Sequence, residues 1–129
     1  MDAGRYDKLV RCKVPEIIKQ EGGISITEIV RGQDLLQKLL GTLWEEIAEL
    51  DRAIQQGADE KVQEAVVNAQ ELFRALYHAT SVSEAVIERA RHEKLAEQGG
   101  FLYEKDGTVC GTFLIEVQKP EGGRDGVGN

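Results

Sequence analysis

The pattern of hydrophobic and polar positions is helical over most of the chain. From about residue 33 to residue 56, aliphatic residues recur at alternating spacings of four and three, which places them along one side of an α-helix. Gly57 predicts the end of this helix. A second helix is predicted from about residue 59 to residue 80. The predicted inward positions are Leu36, Leu40, Leu43, Ile47, Leu50 and Ile54 in the first helix, and Val62, Val66, Ala69, Phe73 and Leu76 in the second.

Shorter elements are predicted before these two helices. Pro15 suits the first turn of a short helix, and Gly22-Gly23 ends it. Residues 24–30 are rich in β-branched side chains and begin with a polar–apolar alternation, which indicates a short extended segment.

The C-terminal part predicts one more helix and a hairpin. The helix begins at Ser81 or Ser83, and Ser81 has capping-box spacing to Glu84. It extends to Gln98 and ends at Gly99-Gly100. Residues 101–103 and 111–117 predict two strands, joined by a turn at residues 105–108 that contains Asp-Gly.

These elements predict an all-α helical bundle, with one domain over residues 1–120, a small C-terminal β-hairpin and a disordered, Gly-rich tail over residues 121–129. Aromatic residues make up only 5% of the chain, so the core is expected to be mostly aliphatic. Amphipathic helices of this length carry more apolar surface than one thin layer can bury. Self-association into a dimer or tetramer is therefore expected to complete the bundle.

The net charge, the cysteines and the lack of targeting segments limit which ligands and which cell compartment are expected. The net charge of −7 argues against duplex nucleic acid, which requires a basic surface, and it supplies the carboxylates that a hard divalent cation needs. Cys12 and Cys110 lack zinc-ligand spacing and are interpreted as reduced thiols. No signal-peptide core and no apolar run of about 18 residues is present, so a cytoplasmic protein without membrane association is expected.

Candidate chemistry begins with three glutamates in the first long helix. At about 100° per residue, Glu46 falls inside the apolar arc, Glu49 lies at its edge and Glu45 lies on the more solvated side. A carboxylate aimed into a packed face is costly unless a cation meets it, and Mg²⁺ accepts carboxylate oxygens. The alternative is a solvated face, because Glu-Glu-x-x-Glu is common on exposed helices.

The second long helix offers further oxygen donors. Glu64, Asn68 and Glu71 share one strip beside its apolar face. Two facing helices with such donors can hold Mg²⁺, which would bridge nucleotide phosphates and position a water. The alternative is again a solvated helix edge.

Four motifs in the same order carry a family resemblance. The segment Tyr6-Asp7-Lys8-Leu9-Val10-Arg11-Cys12-Lys13-Val14-Pro15 resembles the Lys-Leu-Val-Arg-Asp-Lys-Ile-Pro pattern of the phosphoribosyl-ATP-pyrophosphohydrolase-like branch of the MazG-like superfamily. Glu45-Glu46-x-x-Glu49 is similar to that family's first metal motif. Asn68-Ala69-Gln70-Glu71 stands where the family has Asp-x-x-Glu. Residues 94–101 and 113–117 are similar to its closing Lys-x-x-Glu-Arg-Gly-Gly-Phe and final strand.

The resemblance implies a dimeric helical bundle that hydrolyses a nucleoside triphosphate between the α and β phosphates, with Mg²⁺ or Mn²⁺ as cofactor. Under this interpretation Glu45 and Glu46 are catalytic. Metal ligands would be Glu46, Glu49, Glu64, Asn68 and Glu71, and phosphate contacts would come from Arg11, Lys13 and Lys94. These three cations are equally typical of a solvated surface.

Departures from the family pattern keep other functions open. Ala65 occupies a position where the family pattern has Glu, Asn68 and Cys12 occupy positions where it has Asp, and Gln98 one where it has Arg. The two negative charges missing at positions 65 and 68 weaken the expected metal site. Three hypotheses follow: a pyrophosphohydrolase with a partly degraded site, a non-catalytic relative that senses nucleotide or binds protein, and a purely structural helical adaptor. Restoring charge with Ala65→Glu plus Asn68→Asp is expected to separate the first two.

Overall fold

The computed structural model describes residues 8–120, and these residues are mostly helical with a small C-terminal hairpin, which confirms the predicted fold class. The helices are α1 (Val14–Gln20), α2 (Gly32–Gln56), α3 (Asp59–Ala79) and α4 (Glu84–Gln98), and the strands are β1 (Tyr103–Lys105) and β2 (Thr108–Cys110). The predicted tail at residues 121–129, and the part of the first motif that precedes Lys8, lie outside the described residues. Contacts divide the chain into two compact units, Met1–Glu88 and Arg89–Asn129. A single domain over residues 1–120 stays a prediction.

The first unit is built on α2 and α3, which pack along each other. Gly57 ends α2 in the left-handed conformation, with φ 63°, and Ala58 N donates to Ala53 O at 2.9 Å. A residue without Cβ adopts this backbone at little cost, so the chain can reverse here within two residues. The reversal brings the middle of α3 against the middle of α2.

The face of α2 that packs on α3 is rotated from the predicted one. Leu39, Leu43 and Ala53 of α2 and Ala65 of α3 form the buried core. The three core residues of α2, with Glu46 and Leu50, define a second 4-3-4-3 series at residues 39, 43, 46, 50 and 53. Its mean direction lies roughly 60° around the helix from that of the predicted series, with which it shares Leu43 and Leu50. The predicted inward set was therefore wrong in part, because α2 carries two apolar faces. The small Ala53 and Ala65 allow the two helices to approach closely on the face that contains Leu39 and Leu43.

An outer stripe on α2 remains uncovered. We define it as Leu40, Trp44, Ile47 and Ile54, which are 41%, 70%, 41% and 59% exposed. On α3, the predicted inward residues Val66 and Phe73 are also exposed. Both predicted apolar patterns are therefore covered only in part: Leu43 lies in the core, whereas Leu40 and Phe73 stay exposed.

An apolar groove of about 500 Å³ lies beside the outer stripe. Leu36 and Leu40 of α2, Phe73 and Leu76 of α3, and Ile87 at the start of α4 line it, together with neighbouring residues. Arg74 Nε donates to Glu84 Oε1 at 2.5 Å, which raises the pKa of Arg74 and joins α3 to α4 beside the groove.

The two serines proposed for the start of α4 have different roles. Ser83 caps the helix, because its Oγ accepts a hydrogen bond from Val86 N at 3.2 Å. Ser81 instead has a φ of 64° and lies in the preceding turn.

The extended segment predicted at residues 24–30 forms no strand, and the second strand of the hairpin lies earlier than predicted. Residues 24–30 belong to no strand of the described chain, and Ile24 and Ile26 are almost fully exposed. The hairpin pairs Tyr103–Lys105 with Thr108–Cys110 around Asp106-Gly107, both at positive φ, so its second strand precedes the predicted 111–117. The Asp-Gly turn fixed the register, because a two-residue loop pairs the residues directly beside it.

Within residues 8–120, no helix combines the length and the apolar character needed to cross a membrane.

Candidate functional site

Three candidate residues from three separate motifs meet in one hydrogen-bonded series, which we call the Arg11–Asn68–Glu46 row. Arg11 Nη2 donates to Asn68 Oδ1 at 2.8 Å. Asn68 Nδ2 donates to Glu46 Oε1 at 3.3 Å. Asn68 and Glu46 are half-buried, whereas Arg11 is exposed. The row therefore extends from the α2–α3 interface to the surface.

Helix packing places the inner part of the row. Glu46 lies on the α2 face that packs on α3, between Leu43 and Leu50, as its position in the apolar arc predicted. Asn68 follows the buried Ala65 by one turn of α3, so both face α2. A carboxylate in this position is half desolvated and needs a donor, and the Asn68 amide supplies one.

The segment before α1 supplies the outer part. Val14 N donates to Arg11 O at 3.0 Å, and Ile17 N donates to Lys13 O at 3.1 Å. Pro15 lies in the first turn of α1, where its missing N–H removes no intrahelical bond. These contacts order the turn that leads from Arg11 into α1, and the Arg11 side chain reaches Asn68 on α3.

The Asn68 carboxamide is oriented between two opposite charges. Its oxygen, the negative end of the amide dipole, faces the guanidinium, and its N–H faces the carboxylate. Both interactions are charge-assisted, and such bonds are stronger than those between neutral groups. The orientation is the one that the charges of Arg11 and Glu46 require.

The remaining candidate residues lie outside this row. Glu49 is exposed, and its Oε1 accepts a hydrogen bond from Arg52 Nη2 one turn away on the same helix. Glu64 lies on an open, exposed surface of α3 with Glu60 and Gln63. The other candidates are also exposed, namely Glu45 on α2, Glu71 on α3, Lys13 before α1, and Lys94 on the part of α4 that belongs to the second unit.

The fit of a divalent cation to these residues is poor as they are arranged. Among residues 8–120, no three His, Cys, Asp or Glu side chains gather closely enough to hold a metal ion. Asn68 Oδ1, the atom that would ligate Mg²⁺, faces the positive charge of Arg11, and the amide N–H faces Glu46. A cation between Glu46 and Asn68 would require the amide to turn and Arg11 to withdraw. Magnesium binding stays a prediction.

Two features of the site were missed from the sequence. Ala65 is a core residue, 3% exposed, so it has a packing role where the family pattern suggested only a lost carboxylate. The Arg11–Asn68 contact joins residues separated by 57 positions, and no sequence periodicity relates them. A small residue one helical turn before Asn68 was the available signal, since close helix packing favours alanine.

We expect Arg11 and Asn68 to be energetically coupled. In a double-mutant cycle of Arg11→Ala and Asn68→Ala, urea denaturation is expected to give a coupling free energy of about 0.5 to 1 kcal/mol. The coupling is this small because Arg11 is exposed and solvent screens its charge. The cycle cancels the helix propensity that Asn68→Ala gains. Lys19→Ala with Asn68→Ala is the matched control, and its coupling should be zero within error. Equal coupling in both cycles would contradict the contact.

Comparison of the chain with protein-family models, curated proteins and solved structures gives no significant match. The resemblance to MazG-like pyrophosphohydrolases therefore stays a prediction based on the motifs themselves.

Proposed function

We propose that the chain binds the phosphates of a nucleoside triphosphate, or of a related phosphorylated small molecule, at the Arg11–Asn68–Glu46 row. One observation carries the proposal. Three of the motifs that carry the resemblance each contribute one candidate residue to a single hydrogen-bonded row.

The chemistry of the row supports an anionic ligand. A guanidinium has five N–H donors, of which the bond to Asn68 uses one, and its planar fork matches two phosphate oxygens. Arg11 is exposed, so a ligand can reach it from solvent. The function that follows is that of a non-catalytic nucleotide-binding relative of the pyrophosphohydrolases.

Magnesium-dependent hydrolysis between the α and β phosphates is the second candidate. Its support is the retained Glu45-Glu46-x-x-Glu49 motif, with Glu46 half-buried at the α2–α3 contact. A purely structural adaptor is the least favoured function, because packing alone gives no reason for a carboxylate at this position.

A homo-oligomer is part of the proposal. The outer stripe, the groove and Phe73 are apolar and uncovered, and a second copy would bury them.

A binding and hydrolysis panel tests the proposed function. Purified protein is titrated by calorimetry with canonical and modified triphosphates, with and without Mg²⁺ or Mn²⁺, and pyrophosphate release is assayed in parallel. We expect binding of at least one triphosphate, weakened about tenfold or more by Arg11→Gln. Pyrophosphate release that Glu46→Gln abolishes would favour the second candidate. No binding of any triphosphate under any condition would contradict both.

A further inference from the structure

We infer that Arg11, acting through Asn68, takes the place of a divalent cation beside Glu46, so that this site binds a polyphosphate without metal. The inference rests on the proposed function, because it concerns the same row. It goes further in assigning Asn68 as the residue that decides whether the site depends on a cation.

The negative charge of Glu46 is stabilised by Asn68 and, through it, by Arg11. A half-buried carboxylate is stabilised by a hydrogen-bond donor or by a cation beside it. Here Asn68 Nδ2 donates to Glu46 at 3.3 Å while Asn68 Oδ1 accepts from Arg11 at 2.8 Å. The amide is polarised by the guanidinium, so its N–H is a better donor to the carboxylate.

The neutral amide at position 68 differs in its effect on the site from the aspartate of the family pattern. An aspartate there would place a second carboxylate beside Glu46, and the repulsion between the two negative charges would favour a divalent cation bound between them. It would also form an ion pair with Arg11, in competition with an incoming phosphate. Asparagine avoids both effects, since it is neutral and offers one donor and one acceptor to the two charges.

The Arg11 side chain is already oriented before a ligand binds. Arg11 is held on one side by Asn68 and is open to solvent on the other, so it is oriented before the ligand arrives. Pre-oriented donors lose less conformational entropy on binding. A diphosphate or triphosphate group can therefore dock on Arg11 while Asn68 continues to satisfy Glu46.

Inorganic pyrophosphate is the probe for the test, measured by calorimetry in EDTA and again in excess Mg²⁺. We expect the wild-type protein to bind pyrophosphate in EDTA with an affinity within about threefold of that in Mg²⁺. Arg11→Gln should weaken binding in EDTA by about tenfold or more, as expected for loss of a charge-assisted contact. Lys19→Gln removes the same charge from the exposed last turn of α1 and should change the affinity less than twofold.

Asn68→Asp is the decisive variant. It should weaken pyrophosphate binding in EDTA by about tenfold or more and recover it in Mg²⁺, so that a cation requirement appears where the wild type has none. Titration with Mn²⁺ alone should show a gain of cation affinity in the same variant. Circular dichroism in EDTA checks that it remains folded, and Asn68→Gln, which keeps the amide, should stay independent of cation.

Several results would overturn the inference. Wild-type binding of pyrophosphate only in the presence of Mg²⁺ would reject it while leaving the proposed function intact. Binding in EDTA that is insensitive to Arg11→Gln would also reject it. Failure of both pyrophosphate and every triphosphate to bind would reject the inference and the proposed function together.

Discussion

Ala65→Glu is expected to lower the free energy of unfolding by about 3 kcal/mol or more. Ala65 is 3% exposed and faces α2 in the core that Leu39, Leu43 and Ala53 form. A glutamate there must bury an uncompensated carboxylate, or force α2 and α3 apart and expose the leucines. From the sequence, this change with Asn68→Asp was expected to restore a metal site. The buried position makes loss of stability the dominant expected result.

Urea denaturation at one fixed protein concentration measures the effect. Ala48→Glu is the matched control, because it makes the same substitution at an exposed position of α2, and it should change stability by less than about 0.5 kcal/mol. A repeat in millimolar Mg²⁺ separates packing from metal binding. An Ala65→Glu variant as stable as the wild type, or one stabilised by Mg²⁺ above it, would contradict the packing role and favour the carboxylate site.

We expect the protein in solution to have at least twice the 14.3 kDa mass of one chain, and Phe73→Glu to reduce it to the monomer mass. Phe73 is 53% exposed and lines the groove, so a charge there leaves the α2–α3 core intact and prevents apolar packing by a second copy. Truncating or charging a central apolar contact commonly weakens association by about 100-fold or more.

Light scattering at micromolar concentration measures the mass. Val67→Glu is the matched control, because Val67 is 50% exposed on the same helix but lies outside the groove and about 120° from Phe73. The control should keep the oligomer mass, and both variants should keep their helical circular dichroism. A wild type at 14.3 kDa would contradict the oligomer, and equal dissociation of both variants would place the interface elsewhere.

The sequence by itself determined the helices and their ends. Gly57, Gly99 and Ser83 end or begin helices as turn and capping chemistry requires, because these effects act within one turn of the chain. The Asp106-Gly107 turn likewise predicted a hairpin, although the strands beside it are shorter than expected and closer to the turn. The position of Glu46 within an apolar arc was also predicted, since a helix has a fixed angle per residue.

Only the tertiary structure decided which helix faces meet and which polar groups pair. α2 has two apolar faces of similar regularity, and periodicity cannot choose between them. The small Ala53 and Ala65 made one face the close contact and left Leu40, Trp44 and Ile47 outside. The row depends on that choice, because packing of α3 on α2 places Asn68 beside Glu46, and Arg11, 57 positions from Asn68, then completes it. Local chemistry fixes elements, whereas steric fit between distant side chains fixes their pairing and, with it, the candidate site.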